Sequence, residues 1–199
     1  EDDDPQSARV LLVMDLETKK PIILSGTADY ARIVQFFWLN DERIGFYKQP
    51  TRGLDAYDLW AIDIDGKNLK KLVPGKWEDG YATGASVSFL MDDDPDHVLV
   101  EYNKRRPKYT DIYKLNIYSG RLTTLAVDPV LGNNTLMGWA IDQQGNVRGY
   151  MAMDGLKYKL YHRNDVNKDF ELLREFTYQE AMFMPQTYDY DPRLSLIHI

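Results

Sequence analysis

Cysteine is absent from the 199 residues, which excludes disulfides, a thiol nucleophile and thiolate metal sites but leaves the compartment open. Histidine is scarce: His97, His162 and His198 fall in separate parts of the chain, none beside a matching acid and serine, so they read as strand and turn residues. The longest apolar stretch runs from about Val10 to Met14, far below the ~20 residues of a membrane helix, so no membrane association is expected. Positive charge is also short. A formal net charge of −7 spread along the chain argues against nucleic acid, because neutralising phosphates needs a basic face. No segment carries a sustained 3.6-residue apolar stripe of helix length. The chain opens on Glu1, Asp2, Asp3, Asp4 and Pro5 rather than Met, so a true start, with or without a leader, is expected upstream. No weight rests on residues 194–199, which resemble adapter read-through.

What is present is a repeat. Residues 14–24, 62–72 and 115–125 align without gaps, at offsets of 48 and 53, and a looser copy at 162–173 follows about 47 further on. Each is an apolar alternating run, a turn and a second short strand. Asp65-Gly66 and Ser119-Gly120 supply turn pairs that tolerate hairpin dihedrals. A second element precedes the last three copies: residues 33–39, 86–91 and 137–141, with Trp38, Phe89 and Trp139 spaced 51 and 50 apart. Each is followed by a polar turn and another strand, at 43–48, 97–102 and 146–153. The unit is therefore four strands in about 50 residues, the period of propeller blades.

The expected fold is all-β: a partial β-propeller of four-stranded antiparallel blades forming one domain over 1–199. Residues 8–25 form the last two strands of one blade, about 31–75, 84–128 and 135–177 form three complete ones, and a further blade starts from 182. In that further blade, Asp191 repeats Asp94 at a distance of 97. Residues 33–39 are apolar on nearly both faces, as expected of an inner strand wedged between two sheets, and Trp38, Phe89 and Trp139 are expected at equivalent buried positions. Residues 68–72 are the most charged, as suits an outer edge. Propellers close at roughly 4–8 blades, so the chain reads as a fragment.

The segments 38–46, 58–66 and 110–120 resemble blades of prolyl-oligopeptidase-type serine peptidases, closest to the exported bacterial branch related to dipeptidyl and acylaminoacyl peptidases. TolB-type propellers share the Asp58-Leu59-Trp60-x-Ile62-Asp63 strand. The Trp38-x-Asn40-Asp41-Glu42-Arg43 element and the openings around Asp92–Pro95 and Asp189–Pro192 tip the resemblance toward the peptidases. It implies a propeller that covers an α/β-hydrolase domain carrying the triad and filters peptide substrates, in a periplasmic or extracellular setting. The alternative is a TolB-like interaction scaffold.

No catalytic, cofactor or metal residue is assigned, and no cofactor is expected. The nearest approach to a G-x-S-x-G nucleophile turn is Gly84-Ala85-Ser86-Val87-Ser88, which lacks the second glycine and lies on a strand. Asp165-Val166-Asn167-Lys168-Asp169 alternates like a calcium loop, but Phe170 stands where glycine should be and Phe176 where a bidentate Glu should be. Asp63-Ile64-Asp65-Gly66 reads as a hairpin turn and Asp92–Asp96 as a solvated loop. Lys104-Arg105-Arg106-Pro107-Lys108 is a basic hairpin loop, with a domain or acidic-peptide contact as the alternative. Asn133-Asn134-Thr135 fits the glycosylation pattern, which is common by chance.

Overall fold

The computed structural model describes residues 10–26, 32–49, 56–129, 134–177, 179–180, 185–188 and 195–197. Strands dominate them and no α-helix occurs among them. Two strands open the chain, β1 (Val10–Met14) and β2 (Pro21–Gly26). Three four-stranded sheets follow: β3 (Arg32–Asn40), β4 (Arg43–Gln49), β5 (Asp58–Asp63) and β6 (Lys70–Val73); β9 (Ala85–Leu90), β10 (His97–Arg106), β11 (Tyr109–Asn116) and β12 (Leu122–Ala126); then β13 (Thr135–Ile141), β14 (Val147–Asp154), β15 (Lys157–His162) and β16 (Glu171–Thr177). In each, every strand pairs antiparallel with its neighbour in sequence. A small hairpin, β7 (Lys76–Glu78) with β8 (Tyr81–Thr83), sits between the first two sheets in sequence. A last pair, β17 (Pro185–Tyr188) with β18 (Ser195–Ile197), follows the third.

The sheets bury their faces against one another in chain order. Leu11 and Leu24 of the first hairpin pack on Ile33, Ile44, Phe46 and Ile62. The opposite face of that sheet brings Leu59, Ala61 and Val73 against Val98, Val100 and Leu115. Leu99, Ile112 and Ala126 then meet Val147 of the third sheet. Fully burying a Leu, Ile or Val side chain contributes about 1.5–3 kcal/mol, so these layers carry most of the stability.

Polar ties cross the same seams. Arg43, 1% exposed, donates from Nε to the Ile117 carbonyl at 2.9 Å, while its guanidinium also pairs with Asp63 and lies over the Tyr118 ring. Tyr47 accepts the Val87 backbone N–H at 2.8 Å, and Trp139 donates to the Thr110 carbonyl at 3.0 Å. Two turn glycines do related work. Gly66 and Gly120 hold φ of +82° and +75°, and a Cβ at Gly120 would lie 3.2 Å from the Leu72 carbonyl of the preceding sheet. The Asp65-Gly66 and Ser119-Gly120 turns therefore stand where the sequence puts them.

Two expectations need correction. Strand β3 is not buried on both faces, since Val34, Phe36 and Trp38 are exposed, Trp38 by 53%. It is the edge strand of its sheet, and the first hairpin covers little more of it than Ile33. Nor are Trp38, Phe89 and Trp139 equivalent. The aligned residues Ile62 and Leu115 pair with Ile44 and Val98, which pair in turn with Trp38 and Leu90. Phe37, one residue earlier, is the counterpart of Phe89, and Trp139, paired with Tyr150, follows the same register. Side chains alternate faces along a strand, so this one-residue slip moves Trp38 to the other side of its sheet.

Candidate functional site

A groove runs between the edge strands β3 and β9. Three cavities follow one another along it. One of about 560 Å³ lies at the end marked by Val34, Ser86 and Glu101. A middle one of about 310 Å³ shares Gln35, Tyr47 and Ser86 with the first. The third, about 610 Å³, shares Trp38 and Leu90 with the middle one and opens among the turns after β3 and β9. Both strands point from the first cavity toward the third.

Five carboxylates line these cavities, Glu101 at one end and Asp41, Glu42, Asp92 and Asp96 at the other, and no Lys, Arg or His does. None of the five makes an ion pair or side-chain hydrogen bond with a described residue. Glu101 projects from β10 opposite Ser86, and burial alone pushes its carboxyl above the usual glutamate value. Burial likewise raises Tyr47, against hydrogen bonds from Val87 and Ser86 that act the other way. Glu101 closes the apolar run of residues 98–100. Only that break in the pattern could have marked it.

The structure does not assemble a hydrolase centre from the residues tested in the sequence. Ser86 bonds Tyr47 and faces Glu101 across the strand pair. His97 pairs with Asn116 four residues away along β10, roughly 13 Å at ~3.3 Å per residue. Its ring lies 2.8 Å from Asp94 and 3.2 Å from Asn116, both through nitrogen. Asp94 also binds Lys114 at 2.5 Å, and these two contacts, Lys114 first, hold its carboxyl below the usual range. His162 lies on β15, where burial and Arg148 lower its pKa. His198 lies outside the described residues, as do Asn133 and Asp189–Pro192.

The acidic turns are occupied internally. Asp63 takes Arg43 and the Asn68 amide, and Asp65 takes the backbone and ammonium of Lys67. Asp165 accepts the Asn167 backbone N–H at 2.9 Å, and Phe170 packs on Trp139 and Tyr150 instead of turning a cation loop. Among the described residues no group of three His, Asp or Glu is arranged to hold a metal ion. The basic run is not simply a loop: its first three residues end β10. Arg105 makes a two-pronged pair with Asp111 at 3.0 and 3.1 Å, Arg106 lies over Tyr109 and Lys108 over Tyr81.

Sheets of this kind, four-stranded, antiparallel and packed in series, place the chain among all-β proteins with propeller-like relatives. A prolyl endopeptidase superposes with a TM-score of 0.56 at 17% identity, covering 84% of this chain and 26% of that one. An oligogalacturonate lyase from Vibrio parahaemolyticus superposes with a TM-score of 0.50 at 13% identity, covering 94% and 50%. In sequence, 100 residues are 31% identical to dipeptidyl aminopeptidase BIII of Pseudoxanthomonas mexicana, half of this chain and 14% of that protein. The chain thus spans a small part of the peptidases it resembles. No family model matches it. The resemblance to a peptidase propeller, read first from the motifs, is supported by both comparisons.

Proposed function

We propose that the chain is part of the non-catalytic propeller of a serine peptidase, and that it docks on an α/β-hydrolase domain of the same parent chain and gates the access of peptide substrates. The observation that carries this reading is the coincidence of a serial stack of four-stranded meanders with a 100-residue likeness to a dipeptidyl aminopeptidase. On this reading the three four-stranded sheets are successive blades, and β1–β2 are the outer strands of the blade before them. Gating is a matter of geometry: a closed ring of blades over a hydrolase would admit short peptides and turn away folded proteins. A second reading, a TolB-like interaction scaffold, is supported by the Asp58-Leu59-Trp60-x-Ile62-Asp63 strand that such propellers share.

Sequencing the parent gene beyond residue 199 separates the two. A G-x-S-x-G turn followed by Asp and then His within about a domain length supports the peptidase. A stop after the remaining blades sinks it. The chain itself should leave chromogenic dipeptide substrates at the buffer rate and take no fluorophosphonate label; stoichiometric labelling of Ser86 would overturn the assignment of chemistry to another domain.

A further inference from the structure

The groove between β3 and β9 carries a ligand preference of its own, independent of whether a hydrolase domain follows. Both walls are edge strands: among the described residues β3 pairs only with β4, and β9 only with β10. Their outward backbone groups have no strand partner among the described residues, although the Val87 N–H is taken by Tyr47. An unpaired edge is a template for an added strand. Between the walls the surface is apolar and aromatic, with Phe37, Trp38, Val87 and Leu90. At its two ends stand the five carboxylates; Lys108 shares a neighbouring cavity with Glu101 but makes no ion pair with it, and no basic residue lines the groove itself.

The geometry points to an extended peptide of roughly six residues as the occupant of this groove, with Lys or Arg toward its ends and apolar residues between. Backbone edges select an extended chain, because a bare polyamine offers nothing to pair with them. The carboxylates select the charge. Each is unpaired among the described residues, so a cation arriving there meets no competing partner, and acidic peptides are repelled at both ends. The elevated pKa of Glu101 agrees with a carboxylate awaiting a countercharge.

The test is calorimetry on the 199-residue chain with Ac-Lys-Val-Leu-Val-Leu-Lys-amide, its Glu-for-Lys counterpart, and the same lysine peptide N-methylated at alternate amides. The lysine peptide should bind at least about tenfold tighter than the glutamate peptide, and weaken as salt rises. N-methylation should remove binding, since it blocks the edge hydrogen bonds. Glu101→Gln and Asp92→Asn should each weaken the lysine peptide about threefold to tenfold while leaving the far-UV circular dichroism unchanged. Spermine should fail to displace it at equal charge concentration. Equal binding of the two charge types, no binding of the lysine peptide, full binding of the methylated one, or unaltered binding by both variants would each overturn the proposal.

Discussion

The carboxylate of Asp111 accepts the backbone N–H of Asp128 at 2.8 Å, and Asp58 does the same for Gly75 one repeat earlier, also at 2.8 Å. In each case an aspartate at the head of a third strand fastens the chain where it leaves the fourth. Each also holds a cation, Arg105 on Asp111 and Lys71 on Asp58. The third sheet does without this device: Tyr158 stands at the matching position, and its ring stacks on Phe176 at 5.8 Å.

Asp111 is fully buried, so truncating it leaves the buried Asp128 N–H without its acceptor, whereas the exposed Arg105 guanidinium can turn to water. Asp111→Ala should cost about 1–3 kcal/mol in urea unfolding, the range for leaving a buried hydrogen-bonding group unsatisfied. Asp111→Asn should cost less, because an amide oxygen can still accept from Asp128. A loss below about 1 kcal/mol for the alanine variant would show that the clasp is ornamental.

Glu101 gives a pH dependence with a definite sign. Its folded pKa is raised by burial, so the folded state holds this proton to higher pH than the unfolded chain, whose value is 4.5. Between 4.5 and the raised folded value the contribution of this group to stability falls as pH increases. Glu101→Gln should therefore be more stable than the parent at neutral pH, and the difference should vanish below the ordinary glutamate range. Chemical denaturation at pH 4 and pH 7 checks it. Equal effects at both would contradict the assignment.

Gly120 and Gly155 separate two costs of adding a methyl group. Both have positive φ, +75° and +60°, but a Cβ at Gly155 meets nothing within 4 Å, whereas at Gly120 it crowds the Leu72 carbonyl. Gly155→Ala should lose about 1 kcal/mol for the left-handed backbone alone. Gly120→Ala should lose that and more, since the seam between two sheets must give. Identical melting shifts for the two variants would remove the contact from the account.

Hydrogen exchange should rank the sheets by how many faces they bury. Val98, Val100, Ile112, Leu115 and Ile117 of the second sheet are at 0% exposure, and the sheet has a packed neighbour on each side. Its β10 and β11 amides should exchange slowest. Strand β1 presents Val10, Leu12 and Met14 to solvent, and β16 presents Leu172 and Leu173, so both should open first. Slow exchange in β1 matching β10 in a monomer would refute this ranking.

Much of this architecture was legible in the residues. Turn pairs such as Asp65-Gly66 and period-2 runs such as residues 58–63 are local signals, and the spacing of Ile62 from Leu115 is a repeat of them; local signals survive folding. Face assignment on the edge strands was not legible. Register shifts within the β3–β4 and β9–β10 pairings change which residue stands opposite which, and a bulge leaves little trace in sequence. Matching Trp38 to Trp139 by residue type therefore selected the wrong side chain, where Phe37 was the true counterpart. The β7–β8 hairpin escaped because three-residue strands carry too little periodicity. Glu101 escaped because its meaning lies in what surrounds it: a groove made by two sheets, seen only when both are placed.

Because each four-stranded sheet is assembled from strands adjacent in sequence, no sheet waits for a distant segment before it can be completed. Pairings of this kind close short loops, which keeps the entropy of each step small and the folding of each unit fast relative to its synthesis. A ribosome delivering the chain from its first residue would release the sheets in the order in which they stack, each finding its predecessor already formed. The Arg43 to Ile117 and Tyr47 to Val87 ties would then form as the second sheet lands on the first, and the Trp139 to Thr110 tie as the third lands on the second. On such a path a pause in translation between sheets leaves a smaller array of finished units rather than a tangle of unpaired strands.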